Sequence, residues 1–250
     1  MFIHCDLLIL TLVLTLDGRV HAGKIIGGSE AVPHSRPYMV LVERNWNNGS
    51  KAFCGGFLLN EDFVMTAAHC QASSYKISLG AHDVSKKNEI QIISVDQAFP
   101  RRDYNPANFR NDIMVLKLSS KARFSENVKP IALAGKGDAN LPKSCSTSGW
   151  GATEKIKMYM SSVLREINVT LVDNEDCARA NLYCAEGEAG VGHGDSGGPL
   201  VCEDKKAYGV VSTRFIPKSL SSAIQRFTQI PDQRSWIDST MMKALKNYNN

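Results

Sequence analysis

The chain has 250 residues, 43% hydrophobic and 22% charged, with 29 Lys and Arg against 25 Asp and Glu for a net charge of +4. A balance this mildly basic excludes the polycationic surface that a nucleic-acid binder needs, and neither a phosphate loop nor a calcium loop motif is present. Setting aside the first 24 residues leaves 226 with the same net charge, enough for one large or two small cores.

Residues 7–16 form an apolar run interrupted only by Thr11 and Thr15, too short to cross a bilayer, which takes about twenty residues. With the small-x-small pattern Val20-His21-Ala22 behind it, the run reads as a signal peptide spanning 1–22, which leaves Gly23-Lys24 ahead of Ile25. No other segment is long and apolar enough to span a membrane. Short apolar runs separated by turn residues follow at 38–42, 53–59, 63–67, 77–79, 90–95 and 113–118. The same style returns at 144–149, 163–172, 199–202, 208–212 and 226–230, which predicts an all-β fold. A linker of glycine and small residues at 134–142 divides the folded segment 25–250 into halves of about 25–138 and 139–250. Helical spacing is clear only at the C-terminus. There, after Pro231-Asp232, Trp236, Thr240 and Ala244 recur at the same four-residue interval as Ile237, Met241 and Leu245.

Seven cysteines are present; Cys5 falls in the signal segment, and the remaining six are an even number suited to an oxidising compartment. None forms a Cys-x-x-Cys metal pair, and counting alone leaves the connectivity open. Asn48-Gly49-Ser50 and Asn168-Val169-Thr170 are glycosylation sequons, consistent with secretion.

The most informative stretch is Gly194-Asp195-Ser196-Gly197-Gly198-Pro199-Leu200. Its glycines clear side chains from around a serine hydroxyl and permit backbone angles that aim amide N–H groups at an incoming carbonyl oxygen. A tight turn alone would use glycines too. A serine nucleophile also needs a histidine to take its proton and a carboxylate to orient that histidine. Thr66-Ala67-Ala68-His69-Cys70 follows one apolar run, with alanines small enough for close packing beside His69. Asp112 heads the strand-like run Ile113-Met114-Val115-Leu116-Lys117-Leu118. His34 and His82 lack such a context and read as ordinary structural histidines.

Taken in chain order, the His69, Asp112 and Ser196 strings resemble the chymotrypsin-like serine peptidases. Ile25-Ile26-Gly27-Gly28, Cys54-Gly55-Gly56, Ser148-Gly149-Trp150-Gly151 and Trp236-Ile237 extend the match over nearly the whole chain after the signal segment. A missing disulfide and the short pro-segment make the chain most similar to the granzyme and mast-cell chymase branch. The resemblance implies two six-stranded antiparallel β-barrels with a C-terminal helix and a cleft between them. It implies disulfides Cys54–Cys70, Cys145–Cys202 and Cys177–Cys184, and no cofactor or metal. His69, Asp112 and Ser196 would be the triad of a secreted or granule-stored endopeptidase acting through an acyl-enzyme. The backbone N–H groups of Gly194 and Ser196 would form the oxyanion hole. Cleavage after Lys24 would free the Ile25 ammonium to pair with Asp195, a carboxylate costly to bury alone. The implied partners are protein or peptide substrates, an activating protease, serpin-type inhibitors and glycosaminoglycan at Lys86-Lys87, Arg101-Arg102 or Lys205-Lys206; the chain would be a monomer. A basic pair on a turn is also an ordinary solubilising surface.

Substrate preference is where the residues leave alternatives. Counting back from Ser196 puts Gly190 at the base of the primary pocket, where trypsin-like members carry aspartate, so cleavage after basic residues is disfavoured. The segment between Cys177, Cys184 and Ser196 is shorter than usual for the family, which brings Glu186 or Glu188 within range of the base. On the opposite wall, Ser212-Thr213-Arg214 resembles the strand that pairs with substrate backbone, but Thr213 replaces a tryptophan and Arg214 a glycine. Arg214 is long enough to obstruct the entrance. Gln225 or Arg226 occupies the rear wall, and an inward Arg226 would favour acidic residues. The departures at Thr213 and Arg214 keep open a second reading, a catalytically weak homologue that works as a binding or antimicrobial protein.

Overall fold

A computed structural model describes residues 27–138, 143–152, 159–217 and 222–246. In chain order the strands are β1 (Ser29–Glu30), β2 (Met39–Asn45), β3 (Lys51–Leu58), β4 (Phe63–Thr66), β5 (Ser74–Leu79), β6 (Gln91–Pro100) and β7 (Met114–Leu118). Then come β8 (Ser144–Gly149), β9 (Arg165–Val172), β10 (Leu182–Glu186), β11 (Pro199–Cys202), β12 (Ala207–Phe215) and β13 (Ile224–Gln229), with helices α1 (Glu175–Arg179) and α2 (Arg234–Lys246). Two closed six-stranded antiparallel barrels result. The first runs β2-β3-β4-β7-β6-β5; the second runs β9-β10-β13-β12-β11-β8 and closes through the β8–β9 pair, with β1 added on β9. The expected double barrel and C-terminal helix are therefore present.

The strand types follow from their surroundings. β5 alternates buried and more exposed residues, as a strand with one wetted face does. β4 and β7 are buried at every position because their outer faces are covered too. The core that holds Val115 and Leu116 continues into Ile237 and Ala244 of α2 and Val210 of β12. That is why residues 63–67 and 113–118 read as near-continuous apolar runs, broken only by Thr66 and Lys117, rather than alternating ones. β1, β10 and α1 were not predicted. α1 is a five-residue turn of helix whose start is fixed by Asn174, its side chain accepting the N–H of Cys177 at 3.0 Å.

The chain passes between barrels along β12, where Ala134 N–H donates to Ala207 O and Ala207 N–H to Ala132 O. The rest of the predicted linker, 139–142, lies outside the described residues. The three disulfides are Cys54–Cys70, Cys145–Cys202 and Cys177–Cys184, the pairings the resemblance implies. Each typically stabilises a fold by about 2–4 kcal/mol. No helix among the described residues is long and apolar enough to cross a membrane.

Candidate active site

His69 sits in a short 3₁₀ turn, Ala68–Cys70, just past β4, and Asp112 lies two residues before Met114, the start of β7, the strand paired with β4. That pairing brings the two together. Asp112 is fully buried; one carboxylate oxygen accepts the His69 backbone N–H at 2.9 Å and the other lies 2.7 Å from His69 Nδ1. Two groups from the second barrel complete its surroundings. Ser212 Oγ donates to the carboxylate at 2.6 Å, and Thr228 Oγ1 donates to the Asp112 carbonyl at 3.0 Å. Ser212, read from sequence as a substrate contact, is thus also a ligand of the acid; Thr228 was missed, since a threonine in an ordinary strand carries no signal of its own.

Ser196 and His69 line one cleft of about 490 Å³ together with Phe109, Val191, Thr213 and Arg214. The serine's backbone is tied to the first barrel: Gly55 N–H donates to the Ser196 carbonyl at 2.8 Å, and Thr66 Oγ1 donates to the Gly55 carbonyl at 2.8 Å. Gly197, at φ +86°, comes so close to this pair that a Cβ there would fall 2.1 Å from Thr66 Oγ1. No side chain fits, which is the physical content of the glycine after the serine. Gly194 also takes a positive φ, +100°, beside Gly151.

Asp195 points away from the cleft, buried, with its two carboxylate oxygens accepting the N–H groups of Gly151 at 2.7 Å and Gly192 at 2.8 Å. Burial pushes its carboxyl up to about 6 despite those two hydrogen bonds, so ionisation here calls for a nearby cation. Ile25 lies outside the described residues. Gly27 packs against Ala189, and Arg165 Nη2 holds the Gly28 carbonyl at 3.0 Å.

The rear of the cleft resolves the sequence alternatives. Gln225 is the inward residue of β13. It is buried, with Oε1 accepting the Val191 N–H at 3.1 Å and Nε2 donating to the Ala189 carbonyl at 2.9 Å. Its carboxamide fills the space beside Gly190, where a Cβ would meet it at 2.2 Å. Gly190 and Gln225 thus form the wall behind the cleft rather than its lining. Arg226 does not point inward: strand alternation sends it to the other face of β13, where its guanidinium lies 4.1 Å from the centroid of Phe215. Glu186 and Glu188 do not fill the base either, since both are exposed. Arg214 lies at the cleft, its Nη2 donating to the Glu188 carbonyl at 3.0 Å.

Among the described residues, Cys54, His69 and Cys70 are the one group whose ligand atoms gather closely enough to hold a metal. Both sulfurs are spent in a disulfide, so no thiolate is available. Of the basic pairs, Arg101 is bonded to Asp103 and Gln233, and Lys206 to Asp138. Asn48 and Asn168 are exposed.

A double barrel carrying His, Asp and Ser at its junction defines a class, and comparison with known proteins agrees. The Trypsin family profile matches residues 25–237, and the chain belongs to that family of serine proteases. It is a serine-type endopeptidase of granzyme-like character. It is 40% identical to mouse granzyme B(G,H) over 95% of this chain and 99% of that protein. It is 38% identical to human granzyme B over 94% and 98%, and 41% identical to mouse cathepsin G over 97% and 94%. A solved structure described as "Structure of GrC" superposes with a TM-score of 0.77 at 39% identity, covering 87% of this chain and all of that one.

Proposed function

We propose that this protease hydrolyses peptide bonds with Ser196 as nucleophile, His69 as general base and then acid, and Asp112 as the group that orients His69 and stabilises its imidazolium. The observation that carries this is the double grip of one buried carboxylate on both the backbone and the ring of His69, in the cleft that Ser196 lines. Serine attack would form an acyl-enzyme, with the N–H groups of Gly194 and Ser196 receiving the oxyanion. The precursor would lose a signal peptide at 1–22 and then Gly23-Lys24, and the mature enzyme would be secreted or stored in granules. The buried Asp195 supports the second cleavage, because an Ile25 ammonium is the cation its site lacks among the described residues.

The test is labelling with a fluorophosphonate probe. Protein beginning at Ile25 should carry the phosphonyl mass on the Ser196 peptide, and protein retaining Gly23-Lys24 should label far more slowly. Equal labelling of the two forms would sink the activation step; no label on either would favour the binding-protein reading.

The wall behind the cleft supports a substrate class as well. Val191, Val211 and Ala152 line the cleft in front of it, and both ends of the Gln225 carboxamide are engaged; among the described residues no carboxylate side chain lines the cleft to meet a basic side chain. A lysine or arginine seated in it would be buried without a counter-charge, at a cost of about 3 kcal/mol or more. In a peptide-library profile, cleavage after short apolar residues should exceed cleavage after Lys or Arg by about a hundredfold. A basic preference would overturn this account of the pocket.

A further inference from the structure

Asp112 holds His69 at its N–H and its ring; a different residue holds its backbone carbonyl. Arg44, the penultimate residue of β2, donates from Nη1 to His69 O at 3.3 Å. The guanidinium carbon stands 5.1 Å from the centroid of the Trp46 ring, while Arg44 Nε is buried with no hydrogen-bond partner. Arg44 is paired across β2–β5 with Tyr75, and Tyr75 Oη accepts the N–H of Ala72 at 2.8 Å. Two neighbouring side chains of the first barrel therefore pin the segment that leaves β4: Arg44 at His69 and Tyr75 three residues later.

This is an expensive place for a cation. Burial lowers the Arg44 pKa, only partly opposed by Tyr75, and one N–H goes unused. Half-buried arginine on a barrel wall could be replaced by an apolar residue at little cost to packing, so the charge is not needed to fill space. What it does contribute is geometric. Asp112 grips His69 at its backbone N–H and its ring, and the Cys54–Cys70 disulfide ties the end of the turn to β3, which leaves the His69 carbonyl as the backbone group about which the residue can still tilt. A hydrogen bond on that carbonyl, reaching in from β2, opposes the tilt.

We propose that Arg44 is a positioning residue for His69: it fixes the 68–70 turn so that the imidazole stays aligned with Ser196 through proton transfer. The proposal rests on His69 being the general base. Because the ring moves protons in the chemical steps, the effect belongs in kcat, where small misplacements of a catalytic group are costly.

The test compares wild type with Arg44→Met, which keeps the stem's bulk, and Arg44→Lys, which keeps a cationic donor. Each is assayed for kcat and KM on a peptide ester, for the rate of fluorophosphonate labelling at Ser196 and for melting temperature. Arg44→Met should lose about tenfold in kcat and in labelling rate, with KM within twofold and melting within a few degrees of wild type. Arg44→Lys should recover most of the loss. An unchanged kcat in Arg44→Met overturns the proposal. So does a fall in kcat that tracks a loss of melting temperature in both variants, which would mark Arg44 as structural. Failure of the wild-type protein to label defeats the proposed mechanism itself, a result distinct from either.

Discussion

Ser196→Ala should lower kcat on a peptide ester by about a millionfold, the scale seen when the nucleophile of such a triad is removed. The change deletes one oxygen at the mouth of the cleft and leaves its supports in place. The Ser196 carbonyl keeps the Gly55 N–H, Gly197 keeps its bond to Val211 O, and Gly198 its bond to Asp195 O. None of these uses the side chain. The variant should therefore melt within a few degrees of wild type and bind peptide with near-normal affinity. Residual turnover of about 10³–10⁴ over water would come from the oxyanion donors and substrate binding alone. Kinetics with a burst-free titration of active sites check the loss, and a deficit under tenfold would remove Ser196 from the nucleophile's role.

The sequence made this centre legible because its constraints are local. A serine between glycines, a histidine after two alanines and an aspartate at the head of a strand each carry a steric or chemical requirement visible within a few residues. Gly197 is the clearest instance, since the contact with Thr66 Oγ1 that forbids a side chain is made by the residue next to Ser196. The barrels were legible for a related reason: apolar runs bounded by turn residues are the strands, and the near-continuous runs are those covered on both faces.

What sequence left open depends on long-range register. Whether Gln225 or Arg226 faces the cleft is a question of which face of β13 points inward, and a shift of one residue reverses the answer. The observed register pairs Gln225 with Arg214 and Arg226 with Thr213, across an irregularity between Val211 and Thr213 that no pattern in the chain announces. β10 was invisible because its five residues, Leu182–Glu186, are too few and too mixed to show a period, and it becomes a strand by pairing with β9 and β13. Ser212, Thr228 and Arg44 reach the site from distant parts of the chain, 100, 116 and 25 residues from their partners. Their residue types alone point nowhere.

Asp112→Asn is expected to cost about 10⁴ in kcat, equivalent to about 5 kcal/mol of transition-state stabilisation. The carboxylate has acceptors on both sides and uses both: one oxygen takes the His69 backbone N–H, the other faces His69 Nδ1 and takes the Ser212 hydroxyl. An amide keeps only one accepting oxygen. If that oxygen stays on the His69 backbone, the NH₂ group turns toward Nδ1 and selects the tautomer protonated at Nε2. The nitrogen that must take the Ser196 proton then already carries one and cannot accept another. If the amide flips, the ring keeps its tautomer but two N–H donors are forced together at the His69 backbone, in a site fully closed to water. In both cases the imidazolium formed during attack loses its counter-charge. Because Asn is nearly isosteric and Thr228 still anchors the Asp112 carbonyl, KM should stay within a few-fold while fluorophosphonate labelling slows in step with kcat. A variant that retains more than a tenth of wild-type kcat would show that the buried acid does not set the tautomer of His69.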